Sequence, residues 1–361
     1  MKFITTIFLI SMALLLSVVH VSKANTLNDN VAFFEADNPY FQYVGRIDFS
    51  DLKKPRFWSP GVYITAKFKG TYCELLINDQ ELWSKNHNYL EIVIDDKPIR
   101  IQTTEKNNQI IIAKGLSNTV HTLIICKNTE ANIGYLEFIG LKCAALLPLS
   151  AKPVRRMEFI GNSITCGTGS DQSVVPCGKG VWQDQHNAYL SYGPTVARSF
   201  NAQWQLSAVS GIGLMHSCCG MNIVMPPVFD KIDMRGDSLQ WDFKIYRPDV
   251  LTGCLGQNDG IQDSVIFCNN YVHFIEQLRV YYPAVQIILL TSPMGDEQLT
   301  AVLKNYLSAI KKIVKNKGDK KVYTYFFRKR YHNGCDSHPD LAEHQQIAIE
   351  LEGFIKKKIK W

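Results

Sequence analysis

The sequence predicts an α/β protein in which a β-sandwich precedes a three-layer α/β/α domain. Residues 31 to about 145 contain short runs in which apolar and polar side chains alternate, without a long helical stripe. From Met157 onward, strand-like and helix-like runs alternate, which is typical of a mostly parallel sheet covered by helices. Residues 146–156 contain two prolines and little helix or strand signal, so they separate the two patterns.

The composition of the 361 residues is that of an ordinary folded protein, with 46% hydrophobic and 20% charged residues. This share of core-forming side chains excludes a disordered chain. The net charge of +6 is small and spread along the chain, so we expect no nucleic-acid partner. The basic run at residues 356–360 is interpreted as a solvated helix end, where cations suit the helix dipole.

The first 24 residues have the pattern of a secretory signal. Lys2 precedes an apolar run at 3–19, and Ser22 and Ala24 are the small residues of a cleavage site after Ala24. A retained anchor is the alternative, but the run lies at the lower limit of the roughly 17–25 residues that a membrane span needs. We therefore expect a secreted (extracellular or periplasmic) protein without a stable membrane anchor.

Residues 25–150 are assigned to the sandwich domain because four of their segments have the pattern of half-buried strands. These segments alternate apolar with polar side chains between turn residues, and they are 61–70, 73–77, 89–94 and 122–126. Many short strands at this spacing are typical of a β-sandwich.

Residues 151–361 are assigned to the second domain, whose strands and helices alternate. The predicted strands are 157–160, 205–209, 250–255, 285–290 and 321–326. The predicted helices are 189–200, 265–282, 299–314 and 341–355. Ligands of such sheets bind beyond the carboxyl ends of the strands, so that edge is where functional residues are expected.

Three segments of the second domain place polar residues or glycine directly after predicted strands. Ser163, in the sequence Gly161-Asn162-Ser163, follows the first strand and can offer both a nucleophilic hydroxyl and its own backbone N–H. Gly211 follows the second strand and can offer an unobstructed N–H. Asn258 follows the third strand and can donate an amide N–H. Each segment alone also fits a turn or a helix cap.

A fourth segment, before the last helix, supplies a candidate base. His338 precedes Pro339 and can accept the proton of a serine, and Asp336 can orient the imidazole ring. A surface histidine near a helix cap is the alternative interpretation. Taken together, the four segments supply a nucleophile, three oxyanion donors and a base at one edge of a sheet, so we interpret them as one site.

In type and order, these residues resemble the four sequence blocks of SGNH (GDSL-type) hydrolases. The resemblance covers residues 157–361 and implies a flavodoxin-like three-layer α/β/α hydrolase domain. It implies a nucleophile at Ser163 and a base at His338. It also implies an oxyanion hole formed by the N–H groups of Ser163 and Gly211 and by the Asn258 side chain.

The first domain resembles the β-sandwich of carbohydrate esterase family 2, which couples such a sandwich to an SGNH domain. Three segments carry this resemblance: 38–49, 55–63 and 86–92. The resemblance implies a jelly-roll-like sandwich and an esterase that removes O-acetyl groups from polysaccharides such as xylan and glucomannan. It implies no cofactor and no metal, and the expected partner is an acetylated polysaccharide or oligosaccharide. We expect a monomer.

Two positions depart from the family pattern. The common aspartate of the first block is Asn162, which is not expected to react, so activity should survive. The acid expected three residues before the histidine is replaced by Cys335, and Asp336 lies two residues before it. Because some members of the family rely on a Ser-His dyad, a triad with Asp336 and a dyad both remain open.

The ten cysteines suggest disulfides in an exported protein, but their connectivity cannot be derived from the sequence. Their spacing is irregular and includes no Cys-x-x-Cys, so no metal site is expected. Three cysteines lie in the first domain and seven in the second, so complete pairing requires an interdomain bridge; free thiols are the alternative. Cys166 and Cys335 each lie three positions from a predicted catalytic residue, so oxidation of either would act on the site.

Trp182 lies in an insertion after the first strand of the second domain and is a candidate for stacking on a sugar. Packing beneath its own loop is the alternative. Two rival functions remain. An SGNH lipase or lysophospholipase-type esterase is disfavoured by the sandwich and by the lack of a long apolar lid. A glycan-binding protein with a lapsed catalytic site is disfavoured by the intact serine, glycine, asparagine and histidine.

Overall fold

The computed structural model describes residues 31–236 and 238–361. The predicted signal peptide, residues 1–24, lies outside the described residues. Within the described part of the chain, no helix has both the length and the apolar character needed to cross a membrane.

The first domain is antiparallel throughout, and short turns connect most of its strands. Its strands among the described residues are β1 (Ala32–Glu35), β2 (Gln42–Val44), β3 (Arg56–Phe57), β4 (Tyr63–Asp79), β5 (Tyr89–Ile94), β6 (Lys97–Gln102), β7 (Asn107–Lys114), β8 (Val120–Lys127) and β9 (Leu136–Leu147). Two 3₁₀ turns, Leu82–Ser84 and Ala131–Ile133, lie in the loops that face the second domain's site.

Strand β4 joins the two layers of the sandwich. Its first half pairs with β8 and its second half with β7, while β9 runs along both halves. A register shift between Lys69 and Cys73 bends the strand where it changes partners. The prediction of two strands, 61–70 and 73–77, was therefore wrong in number, because the bulge bends the chain without ending the pairing. Apolar side chains between the layers, such as Phe68 and Phe138, are fully buried.

The second domain alternates strands with helices, as predicted. Its elements are β10 (Arg156–Gly161), α1 (Ser163–Cys166), α2 (Tyr192–Ser199), β11 (Gln203–Ala208), α3 (Met225–Val228), β12 (Val250–Gly253), α4 (Ser264–Tyr281), β13 (Gln286–Leu290), α5 (Glu297–Asn316), β14 (Val322–Tyr325) and α6 (Leu341–Ile359). Two 3₁₀ turns, Trp182–Gln185 and Cys335–Ser337, precede α2 and α6.

The order of the five parallel strands is β11-β10-β12-β13-β14, which is the flavodoxin order. Helices α2 and α6 pack together on one face of the sheet, and α4 and α5 pack on the other. The expected three-layer α/β/α architecture is thus confirmed. The strand order reverses between β10 and β12, and the segments that contain Ser163 and Asn258 leave the sheet there.

The two domains share a continuous interface. Tyr63 of the sandwich stacks on Trp204 with ring centroids 3.9 Å apart, and the Trp204 indole N–H donates to the Gly61 carbonyl at 2.9 Å. Arg46 of the sandwich forms a fully buried ion pair with Glu158 on β10, at 3.2 Å. Apolar residues of both domains belong to the same buried cluster, so the domains pack as one unit.

Candidate active site

Ser163 lies at the sharp junction between β10 and α1. Asn162 is extended and caps the short helix, because its side-chain oxygen accepts the N–H of Ile164 at 3.2 Å. Gly161 is required here, since a Cβ at this position would overlap the hydroxyl of Thr165. The junction turns the Ser163 hydroxyl toward the switch point of the sheet. The departure from the usual aspartate at position 162 preserves the cap.

The Ser163 hydroxyl lies within hydrogen-bond distance of the predicted base. The distance from Ser163 Oγ to His338 Nε2 is 2.8 Å. His338 follows the turn Cys335–Ser337, just before α6, which begins with a capping box formed by Asp340 and Glu343. Burial lowers the pKa of His338, which favours the neutral ring that a base requires.

The other ring nitrogen of His338 is held by the backbone and not by an acid. Nδ1 lies 3.1 Å from the carbonyl oxygen of Cys335, which is a hydrogen-bond acceptor and therefore favours a proton on Nδ1. Asp336 has an exposed side chain and a left-handed backbone with φ of 52°, and its carboxylate forms no hydrogen bond with the ring. The prediction that Asp336 orients His338 by direct contact is thus corrected. The tight turn directs a carbonyl to the ring in its place.

Gly211 and Asn258, the other two predicted oxyanion donors, line the same cavity as Ser163. Gly211 has φ of +84°, a conformation that favours glycine, and among the described residues its N–H has no hydrogen-bond acceptor. The same is true of the Ser163 N–H. The Asn258 amide donates one N–H to the Ile212 carbonyl at 2.8 Å, which orients the side chain and leaves the second N–H for a substrate.

Asp259 connects the loop that contains Gly211 to the loop that contains Asn258. Sequence reasoning missed this role. The buried Asp259 carboxylate accepts the backbone N–H groups of Leu214, Met215 and His216 at 2.7–3.0 Å. The segment after Gly211 is thereby fixed to the segment after Asn258. The available signal was an acidic residue directly beside the predicted oxyanion donor Asn258.

A cavity of about 600 Å³ opens above the Ser163–His338 pair. The second domain contributes Gly211, Asn258 and Trp182 to its wall. The sandwich contributes Leu82, Trp83 and Asn132. Such a cavity is large enough for a sugar residue and its acyl group. The site is therefore built by both domains, which the sequence analysis did not predict.

Two indole side chains, one from each domain, stand at this cavity. Trp182 is 42% exposed and meets the His186 ring edge-on, at 4.4 Å between centroids. Trp83 is 76% exposed and lies in a positive-φ turn of the sandwich. Sequence reasoning missed Trp83, although a tryptophan in a polar loop is an available signal. Both indoles leave apolar surface for a ligand.

The insertion that contains Trp182 is bridged to the segment that contains the histidine. Cys177 and Cys335 form a disulfide, so the carbonyl that holds His338 belongs to a bridged residue. A second disulfide joins the neighbours Cys218 and Cys219, which line the cavity beside Gly211. Cysteines at the remaining six positions are free and buried: 73, 126, 143, 166, 254 and 268. Both bridges lie within the second domain, so the interdomain bridge that complete pairing requires is absent from the described residues.

Comparisons with known proteins agree with this geometry. The family model for the carbohydrate esterase 2 N-terminal domain matches residues 43–153. Cellulase/esterase CelE of Acetivibrio thermocellus is 31% identical over 343 residues, which cover 91% of this chain and 40% of CelE. The chain thus spans about 40% of that relative. An acetylxylan esterase / glucomannan deacetylase of Cellvibrio japonicus is 25% identical over 373 residues and is matched along the full length of both chains.

The chain is also similar in fold to a solved structure of a carbohydrate esterase. The family two carbohydrate esterase from Clostridium thermocellum, in complex with cellohexaose, aligns with a TM-score of 0.81 and 28% identity. The alignment covers 89% of this chain and 99% of that one. The chain is thus similar in sequence and fold to carboxylic ester hydrolases. Among these, its first domain matches the N-terminal model of carbohydrate esterase family 2, and most of its length aligns with a family two carbohydrate esterase.

Proposed function

We propose that this protein is a secreted serine esterase that removes O-acetyl groups from polysaccharides of the xylan and glucomannan type. The observation that carries the proposal is the 2.8 Å contact between Ser163 Oγ and His338 Nε2, in a cavity that also contains two backbone N–H groups with no acceptor among the described residues. The names of the relatives support the substrate class. The signal-peptide pattern and the Cys177–Cys335 bridge support export to an oxidising compartment.

The first half of the reaction forms an acetyl-enzyme. His338 Nε2 takes the proton of Ser163 as Oγ attacks the acetyl carbonyl carbon. The carbonyl oxygen becomes negative and accepts hydrogen bonds from the N–H groups of Ser163 and Gly211 and from the Asn258 amide. The bond to the sugar oxygen then breaks, and the proton on His338 passes to that oxygen, so the sugar leaves as an alcohol.

Water completes the cycle on the same side chains. His338 removes a proton from a water molecule as that water attacks the acetyl carbon of the acyl-enzyme. The same three donors stabilise the second oxyanion, and Ser163 leaves with the proton returned by His338. Acetate is released. The Cys335 carbonyl stabilises the imidazolium that forms in both halves, because it accepts a hydrogen bond from the Nδ1–H group.

The cavity wall suits a sugar at the leaving-group side. Trp182 and Trp83 present aromatic faces, which stack on the apolar faces of sugar rings. Since Trp83 belongs to the sandwich, we propose that the first domain takes part in substrate binding. This assigns a glycan-binding role to Trp182, as the sequence analysis expected, and adds Trp83 as its partner.

The proposal is tested by measuring acetate release from acetylated glucomannan, acetylated xylan and p-nitrophenyl acetate. We expect release from all three, and no hydrolysis of p-nitrophenyl palmitate or lysophosphatidylcholine. Trp182→Ala and Trp83→Ala should lower kcat/KM for the polysaccharides by about 10-fold, and less for p-nitrophenyl acetate, because stacking contributes about 1–1.5 kcal/mol per ring. Faster turnover of long-acyl esters would favour a lipid-directed esterase. Glycan binding without acetate release would favour a lapsed site.

A further inference from the structure

Glu130 is a carboxylate of the sandwich that is fully buried beneath the active site of the other domain. It lies between β8 and the 3₁₀ turn Ala131–Ile133. Its Oε2 accepts the backbone N–H of Ser210 at 2.5 Å and the thiol of Cys166 at 3.6 Å. Ser210 directly precedes Gly211, and Cys166 ends the helix that Ser163 begins. One side chain of the first domain therefore contacts both catalytic segments of the second.

A buried carboxylate lowers the stability of a protein unless hydrogen bonds satisfy its oxygens. The contacts of Glu130 are therefore needed to keep it in this position. Burial raises the pKa of Glu130, and the hydrogen bonds from Ser210 and Cys166 oppose that rise. Its other oxygen lies 3.4 Å from the amide nitrogen of Asn132, which lines the cavity. The donors that satisfy Glu130 thus come from the two sides of the active site.

Lys127 holds the backbone of the segment that contains Glu130 through hydrogen bonds. The buried Lys127 amine donates to the backbone carbonyl of Thr129 at 2.7 Å and to that of Glu130 at 3.0 Å. Burial lowers the pKa of Lys127 to about 7. These hydrogen bonds fix the backbone of the segment, so the carboxylate has little freedom to follow a shift of Ser210.

Ser210 transmits this constraint to the oxyanion hole. The Ser210 N–H donates to Glu130, and the Ser210 hydroxyl lies 2.7 Å from the Thr168 hydroxyl. The backbone N–H of Thr168 in turn donates to the Ser163 carbonyl at 3.0 Å. Gly211 follows at φ of +84° and has no side chain to hold it. The direction of the Gly211 N–H therefore depends on how the preceding residue is anchored.

We infer that Glu130 is a positioning residue of the oxyanion hole, through which the sandwich holds the Gly211 N–H in line with Ser163. The inference rests on the proposed function. Glu130 contacts no reacting atom and acts through Ser210 and Gly211. The sandwich is accordingly part of the esterase machinery, in addition to any role in binding glycans.

The test compares Glu130→Ala with Glu130→Gln, using p-nitrophenyl acetate. Glu130→Ala removes the acceptor, so we expect kcat to fall about 10- to 100-fold with KM within about two-fold, since a misdirected oxyanion donor affects mainly the transition state. Glu130→Gln retains an acceptor oxygen for the Ser210 N–H, and we expect it to recover most of kcat. This split and rescue are not expected of a residue that only stabilises the fold.

Trp204→Phe is the matched control, because it removes one interdomain hydrogen bond at the opposite end of β11. We expect its kcat to stay within about two-fold of wild type even where its thermal midpoint falls. A folded Glu130→Ala protein with wild-type kcat overturns the inference, as does an equal loss of kcat in Trp204→Phe.

Two further outcomes are distinguishable. Where Glu130→Ala does not fold, Glu130→Asp serves instead, since it keeps the charge but draws the oxygen away from Ser210; a wild-type kcat in that variant overturns the inference. If wild type releases no acetate and hydrolyses no p-nitrophenyl acetate, the proposed function fails and the inference fails with it. If wild type is active and substitutions of Glu130 leave kcat unchanged, the inference is overturned and the proposed function stands.

Discussion

His338 is oriented by a backbone carbonyl at the place where many serine hydrolases use a carboxylate. A carbonyl beside Nδ1 selects the same tautomer as a carboxylate would, because both accept a hydrogen bond from the Nδ1–H group. It provides less charge to stabilise the imidazolium. Asp336 is close enough for its charge to favour the protonated ring, but burial of the ring has the larger effect.

Replacing Asp336 should therefore have only a small effect. We expect Asp336→Asn to lower kcat for p-nitrophenyl acetate by about two- to five-fold, whereas the loss of the aspartate in a full triad costs about 10⁴-fold. Asp340→Asn is a suitable control, since Asp340 is another carboxylate near His338 and asparagine retains its helix-capping role. A drop of several orders of magnitude in Asp336→Asn alone would restore the triad.

The pH dependence of the esterase follows from the neutral state of His338. Burial lowers the pKa of this ring, and the ring must be neutral to accept the Ser163 proton. Activity should be complete above the lowered pKa and should be lost as the pH falls through it. We expect the acid limb of kcat/KM to have its midpoint below the ordinary histidine value of about 6.5. A midpoint at or above that value would contradict the burial argument.

Single residues differ in how far the sequence identified them. That Ser163, Gly211, Asn258 and His338 meet at one cavity could be predicted, because their positions after strands or before a helix are local features. Glu130 could not, since its contacts join segments far apart in the chain and in different domains. The partner of His338 Nδ1 could not be predicted either, because it depends on the turn geometry at Cys335.

At the scale of elements, the turn before α6 and the insertion before α2 act together. The Cys177–Cys335 disulfide joins them, so the loop with Trp182 and the residue that holds His338 are covalently connected. A bridge across such a long stretch of chain restricts the unfolded state strongly. The insertion is therefore part of the structure that supports His338.

Removing this bridge should destabilise the protein. Cys177 is exposed, so Cys177→Ser removes the bridge without disturbing a buried side chain. We expect the free energy of unfolding to fall by about 2–4 kcal/mol, as measured by urea denaturation. Wild type treated with dithiothreitol should approach the variant's stability, and the variant should respond much less. Equal stability of variant and wild type in the absence of reductant would contradict this role.

The strands and the longer helices of the second domain were predictable because their hydrophobic periodicity is local and regular, whereas the four-residue helices α1 and α3 are too short to show it. Helix α4 and strands β10 and β13 occur within a few residues of their predicted bounds. Strand β4 was predicted as two strands, because a bulge between Lys69 and Cys73 looks like a turn in the sequence. Pairing with neighbouring strands, which no local pattern reveals, decides that it continues.

At the scale of the whole molecule, the sandwich and the hydrolase domain depend on each other. The Arg46–Glu158 pair is completely buried between them, and the Arg46 guanidinium also donates to the carbonyls of Phe229 and Lys231. Separating the domains would leave the charge of Glu158 without its ion-pair partner. Together with Glu130 and Trp83, this contact makes the first domain a structural part of the site.

Every step of the proposed reaction depends on Ser163 as the nucleophile of an acetyl esterase. The most direct measurement is acetate release from acetylated glucomannan by wild type and by Ser163→Ala, with thermal unfolding to show that both are folded. We expect release by wild type and a background rate for the variant. Turnover at the wild-type rate by a folded Ser163→Ala protein would rule out Ser163 as the nucleophile.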